Sequence, residues 1–172
     1  MVNIFLIGDD CGGTGLKICK ALSHYGGVIH ITGKTFTFHS SGKPCFSVSH
    51  WKTPPKIYSP RCIVFFNSPE EVPENFGQKG NYTVIAPDVP VCPHCITYGF
   101  SSQCSIAFSS TEMERPCVSI QHPFTCIDGT TAEPCEIPLT AAADLSESPY
   151  EFLGVCAVIA ACGLYSGGEM YL

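Results

Sequence analysis

The sequence predicts an α/β protein. A Rossmann-like, mostly parallel sheet is expected over residues 1–100. An antiparallel β extension and a closing apolar helix follow over 101–172, packed with it as one compact domain. Three observations carry this. The chain opens on a continuous apolar run, 2–7, that passes at once into a glycine-rich turn and an amphipathic segment; this is how a buried parallel strand feeds a helix. From residue 103, short apolar stretches alternate with polar residues and turn signals, as in antiparallel β structure. Near the end stands an apolar stretch of 14 residues, 152–165, behind a helix start signal.

The elements follow in order. Val2–Ile7 is the first strand, and Gly8 to Gly15 form the turn. Leu16, Ile18, Cys19, Ala21 and Leu22 then mark one helical face, with Lys17, Lys20 and Ser23 on the other, until Gly26-Gly27 ends the helix. Residues 28–31 return as a strand, which makes 2–31 a β-α-β unit. Phe36 and Phe38, then Phe46 and Val48, alternate on either side of Ser41-Gly42 and read as a hairpin. Cys62–Phe66 is another buried strand. Ser68-Pro69-Glu70-Glu71 reads as a capping box that opens a short helix. Strands are expected at 82–86 and Cys95–Tyr98, then at 104–109 and 118–121. Residues 124–127 enter Asp128-Gly129, a hairpin signal, and 133–139 are expected to pair back. Ser148-Pro149-Tyr150-Glu151 is a second capping box, opening a helix to about Tyr165. That helix is apolar nearly all round, so it is either buried or a contact between copies of the chain.

Composition narrows the functional classes. A chain of 172 residues buries roughly 70% of its unfolded surface and needs no metal or disulfide to fold. With 45% hydrophobic and 14% charged residues it is neither a disordered tail nor a coiled coil. Residues 1–61 hold seven Lys/Arg against two acids, whereas 62–172 hold two against thirteen. The basic first third suits a phosphate, and the acidic remainder argues against nucleic acid as a partner. Met1 runs directly into a strand, and the apolar stretch 152–165 is too short to span a bilayer. The expected location is therefore cytoplasmic, away from membranes. There, most of the twelve cysteines should be small buried hydrophobes, Cys19, Cys62, Cys156 and Cys162 first among them.

The glycine turn is the candidate ligand site. Free N–H groups and the positive end of a helix converge after such a strand. Gly8, Gly12, Gly13 and Gly15 permit close approach, Thr14 offers a hydroxyl, and Lys17 or Lys20 supplies charge. The expected ligand is a nucleotide or another small phosphate-bearing molecule. Neither common phosphate motif is complete: Ile18 stands where G-x-G-x-x-G requires glycine, and Thr14-Gly15 stands where a P-loop requires Lys-Ser/Thr. Asp9 and Asp10 also work against a phosphate. The alternative is a turn selected for positive φ and tight helix–sheet packing. Gly33-Lys34-Thr35 has a P-loop ending but enters a strand, so no helix end exists there.

Cys92-Pro93-His94-Cys95 is the sharpest chemical motif. The C-x-x-C spacing closes a short disulfide, and the tetrapeptide resembles the active-site element of thioredoxin-class oxidoreductases. The strand-like 96–99 stands where that chemistry needs a helix. Zinc is the other use of the pair, joined by two of Cys104, Cys117, His122, Cys126 or Cys135, but no second close pair completes a ribbon. Zinc is therefore not expected there. No hydrolytic motif is present. His30 and His39 fall at strand positions that suit a structural role, and Trp51, between His50 and Lys52, suits either the lining of a ligand surface or, as a single aromatic beside a proline loop, simple packing. Nothing in the sequence fixes a reaction. A third class is a non-catalytic interaction subunit, forming homo-oligomers through the apolar helix 150–165.

One stretch resembles a known family. Val84-Ile85-Ala86-Pro87-Asp88, then Ile96-Thr97-Tyr98-Gly99-Phe100-Ser101, look like the end of the central domain of Mur ligases, with the β-rich residues 104–139 corresponding to the segment that follows. The resemblance implies a shared fold fragment over residues 83–139. Those ligases carry a Gly-Lys-Thr phosphate loop on a strand–helix turn, which this chain lacks, so the resemblance does not extend to ATP-dependent ligation. Cys11 to Gly15 also resemble the opening of the gamma domain of 2-oxoacid:ferredoxin oxidoreductases.

Overall fold

The computed structural model describes residues 1–8, 12–40, 42–56, 59–73, 76, 82–88, 95–110, 116–140, 148–165 and 168–172. Val2–Ile7 (β1) leads through the helix Gly12–Leu22 (α1) to Gly27–Thr32 (β2), Thr35–His39 (β3), Pro44–Trp51 (β4), Cys62–Phe66 (β5), Thr83–Pro87 (β6) and Cys95–Tyr98 (β7). Ile106–Ser110 (β8), Cys117–Ile120 (β9), Phe124–Thr125 (β10), Thr131–Ala132 (β11), Cys135–Thr140 (β12), the helix Pro149–Ala161 (α2) and Met170–Tyr171 (β13) complete the described chain. Eleven of these strands form one sheet, in the order β13-β12-β9-β8-β7-β6-β5-β1-β4-β2-β3. From β2 to β8 every neighbouring pair is parallel. The pairs β2–β3, β8–β9 and β9–β12 are antiparallel. The expected α/β class, with a mostly parallel sheet, an antiparallel extension and a late apolar helix, is what the chain adopts. No helix among the described residues is long and apolar enough to cross a membrane.

Several local expectations are corrected. β3 and β4 are not a hairpin: β3 pairs back on β2 through Gly33-Lys34, while β4 runs parallel and inserts between β1 and β2. Gly33 holds φ +60° in that turn, so Gly-Lys-Thr here closes a hairpin and meets no helix end. Residues 124–125 pair with 131–132, as Asp128-Gly129 signals, but 135–140 pair with β9 instead. Ser68 to Glu71 make only a single 3-10 turn, Pro69–Glu71, without a side-chain cap. The late helix stops at Ala161, where Cys162 caps it. Leu16, expected on the buried helical face, is 53% exposed, and Gly15 takes the inward position.

Both helices cover the same face of the sheet. Leu6 and Phe65 are register partners on β1 and β5. Gly15 of α1 lies against Leu6 and His50, and Gly154 of α2 lies against Phe65 and Tyr98. The main core forms here, and it includes Val118, Ile120, Ile137 and Leu139 from β9 and β12. On the opposite face Ile7, Val64, Phe66, Val84 and Ala86 form a second, smaller core under Val72, Phe76 and Tyr82. The sheet also curls. Eight strand spacings separate β13 from β4, which would be about 38 Å in a flat sheet. Yet the Tyr171 backbone N–H donates to the Tyr25 hydroxyl at 2.8 Å, beside the end of α1.

This curl explains the composition of α2. The helix starts at Ser148, whose Oγ accepts from the Glu151 N–H at 3.4 Å, as the capping box predicts. Every residue from 152 to 161 is buried within this one chain, the first of the two alternatives that its all-round apolar surface leaves open. Each Leu, Val or Ile so enclosed contributes about 1.5–3 kcal/mol. The cysteines follow the same logic: Cys19, Cys62, Cys156 and Cys162 are buried as expected. Burial pushes the thiols of Cys19, Cys156 and Cys162 up to about 12, which keeps them protonated in the metal-free chain.

Candidate functional site

The connection leaving β1 runs towards β4 and β2, whereas the one leaving β5 runs towards β6. The carboxyl ends of β1 and β5 therefore form a topological switch point, where open α/β sheets place their ligands. Gly8 stands there with φ +132°, and its N–H donates to the Trp51 carbonyl at 3.1 Å. A side chain at Gly8 would run into the Glu71 carboxylate. Glycine is needed for conformation and for space alike.

A cleft of about 600 Å³ opens beside this point, lined by Gly8, Gly12 and Leu16, by His30, Thr32 and Thr37, and by His50, Trp51 and Lys52. Its volume falls in the range of small-molecule sites. Gly12 begins α1 and faces open space, with nothing within 4 Å of where a Cβ would sit. The first N–H groups of α1 have no partners within the helix and carry its positive end. Trp51 ends β4; its ring packs edge-on to Phe5, and its Nε1–H donates to Ser49 Oγ at 2.9 Å. His30 Nε2 and His50 Nε2 lie 2.9 Å apart in the cleft wall. Burial, then the neighbouring His50 and His39, lower the pKa of His30, and burial lowers that of His50.

The other predicted site residues are placed as follows. Thr14 is fully buried and donates its hydroxyl to Asn67 Oδ1 at 3.1 Å, which ties α1 to the end of β5. Gly13 faces the Glu151 carboxylate, and Gly15 packs on His50. Lys17 forms an ion pair with Glu151 at 2.5 Å and stands 5.3 Å from the centre of the Phe152 ring, so it links α1 to α2. Cys92 and His94 lie outside the described residues. Cys95 opens β7 and is disulfide-bonded. Asp88 and Gly99, quoted for the Mur resemblance, meet at the ends of the adjacent parallel strands β6 and β7, where the Asp88 N–H donates to the Tyr98 carbonyl at 3.0 Å.

His30, Thr32, Thr37 and His50 were not legible as one site. Alternation in β2 and β4 puts both histidines on the helix-facing side near carboxyl ends, and that signal was available. The adjacency of the two strands was not.

No protein-family model matches the sequence, and no curated protein matches it. Solved structures do match the fold. One is the UDP-N-acetylmuramoylalanyl-D-glutamyl-2,6-diaminopimelate–D-alanyl-D-alanyl ligase from Acinetobacter baumannii, with a TM-score of 0.54 and 9% identity over 96% of this chain and 44% of that one. Another is a MurF structure from the same organism, with a TM-score of 0.53, again at 9% identity over 96% and 44%. The fold is thus similar to part of a Mur ligase, and the chain spans less than half the length of those enzymes.

Proposed function

We propose that this chain is a binding module for a small phosphate-bearing ligand, with a nucleotide as the best fit, held in the cleft over β1, β4 and β2. The supporting observation is the meeting, in one cleft at the carboxyl edge of a parallel sheet, of the α1 N-terminus, Gly8 and Gly12, Lys52 and Trp51. In this reading the phosphate takes the free N–H groups at Gly12 and Gly13, and Lys52 adds charge. The base lies on the Trp51 ring, and Thr32 and Thr37 offer hydroxyls. Lys17, paired with Glu151, acts as a brace for the helix that carries those N–H groups. No catalytic step belongs to this reading.

The test is a thermal melt and calorimetric titration against inorganic phosphate and nucleoside mono-, di- and triphosphates. A ligand at ten times its Kd adds about 1.4 kcal/mol, which raises Tm by about 3–6 °C for a chain of this size. Gly12→Leu, which places a side chain in the open cleft, and Lys52→Ala should each remove that shift. If no phosphate compound raises Tm at millimolar concentration, the reading fails. A thiol–disulfide role at Cys92/Cys95 is a second reading, favoured by the disulfide at Cys95. It requires that a dithiol reductant and an oxidant interconvert the pair reversibly near the potentials of known exchange proteins, and a pair that neither reagent changes would end it.

A further inference from the structure

We infer that Cys19, His30 and His39 form a binding site for a borderline-soft transition-metal ion, Zn2+ being the natural occupant. The three come from different elements that the fold draws together. Cys19 lies one turn beyond Gly15 on the sheet-facing side of α1. His30 sits in β2, and His39 ends β3 with Val28 as its register partner. The thiol sulfur and one ring nitrogen from each histidine all lie within 4.8 Å of one another. A tetrahedral ion with Zn–S of about 2.3 Å and Zn–N of about 2.05 Å needs its donors about 3.3–3.6 Å apart. Side-chain rotation of an ångström or so closes the difference.

Two observations set this cluster apart from ordinary core packing. The first is His39 Nε2, a buried nitrogen with no hydrogen-bond partner. Leaving such a group unsatisfied is costly, and a metal bond or its second shell removes that cost. The second is His50, whose Nε2 lies 2.9 Å from His30 Nε2. When His30 Nε2–H donates to His50, the lone pair of His30 is on Nδ1. A histidine ligand is oriented and its tautomer fixed in this way by its outer neighbour. The donor set selects the metal: one thiolate and two imidazoles suit Zn2+ or Co2+ and give Mg2+ or Ca2+ no oxygen ligand. Cys19 belongs to the same buried apolar core as Ile18, Leu22, Val28 and Val48. On binding, the Cys19 S–H bond breaks, its proton leaves to solvent, and the sulfur bonds the ion. Water takes the fourth position. The site shares His30 with the cleft wall but does not rest on the ligand proposed there, because its readout is the metal itself.

The test is titration of the reduced full chain with Co2+, followed by displacement with Zn2+, in wild type and in a Cys92→Ser/Cys95→Ser background. The expected result is one Co2+ per chain with tetrahedral ligand-field bands and a thiolate charge-transfer band, all retained in the double variant. Cys19→Ser should remove the charge-transfer band, and His39→Gln should weaken binding by at least about tenfold. Circular dichroism in chelator checks that each variant is folded. His39 lies at the rim, so its variant decides the matter if Cys19→Ser fails to fold. A wild type without tetrahedral Co2+ bands, bands lost in the Cys92/Cys95 background, or binding unchanged by His39→Gln would each overturn the assignment.

Discussion

The Nε2 atoms of His30 and His50 lie 2.9 Å apart across the neighbouring parallel strands β2 and β4. At that distance one hydrogen is shared between them, so one ring donates and the other accepts. Two imidazolium ions cannot face each other at that distance, so this pair in the cleft wall takes up at most one extra proton.

This pair makes stability fall in mild acid. Burial and the neighbouring rings lower the pKa of His30, and burial lowers that of His50. His39, Cys19 and Lys52 are the other titratable groups around them. A depressed histidine pKa means that the unfolded chain binds more protons, so stability rises with pH. The contribution is complete above the unfolded value of about 6.5 and is lost as pH falls below it. Urea midpoints of the metal-free protein should drop between pH 7.5 and 5.5, and His50→Gln should flatten that dependence. An equally steep profile in the variant would remove the pair as its source.

Gly15 should resist substitution although it is helical. A Cβ there would lie 2.6 Å from His50 Nε2 and 2.8 Å from Leu6 Cδ1. Alanine gains about 1 kcal/mol of helix propensity, but overpacking a filled interface costs about 1–3 kcal/mol. Gly15→Ala should be net destabilising in chemical denaturation, whereas Gly12→Ala, facing open space, should be neutral or mildly stabilising. Equal midpoints for the two variants would contradict the packing described.

The Lys17–Glu151 ion pair should be worth little. Its side chains are 28% and 31% exposed, and pairs of this kind contribute about 0.2–1 kcal/mol. A double-mutant cycle with Lys17→Met and Glu151→Gln should give a coupling in that range, diminishing as salt is added. A coupling of several kcal/mol, insensitive to salt, would show that the pair is far better shielded.

Tyr98→Phe isolates one buried hydrogen bond. The Tyr98 hydroxyl donates to the Phe66 carbonyl at 3.1 Å, while its ring stacks on Phe65. Phenylalanine keeps the stack and removes that bond, at a cost of about 1–2 kcal/mol. The unfolding midpoint should move accordingly, with an unchanged m-value.

What the sequence disclosed was local. The run 2–7 and the face marked by Ile18, Cys19 and Leu22 report on residues a few positions apart, and they read correctly; the turn expected over Gly8 to Gly15 is already helix from Gly12 onward. Leu16 misled because periodicity does not reveal that His50 fills the space above Gly15. The hairpin expected at 36–48 failed for a related reason: alternation looks the same in a strand that folds back and in one that crosses over. Gly8 of the cleft was legible as a turn residue, whereas Gly12 opens the helix. His30, His50 and Thr37 became its wall only because β4 inserts between β1 and β2, a choice made by long-range packing.

The curl of the sheet also fixes an order of events in time. The contacts from Lys17 to Glu151 and from Tyr25 to Tyr171 join residues 134 and 146 positions apart. Closing such loops is slow, so these contacts form late. During synthesis the β1–β8 platform emerges well before α2, and its apolar concave face stays wet until that helix arrives. The most water-averse segment of the chain is thus delivered only after the platform it covers, and until then that apolar face stands open to unwanted contacts.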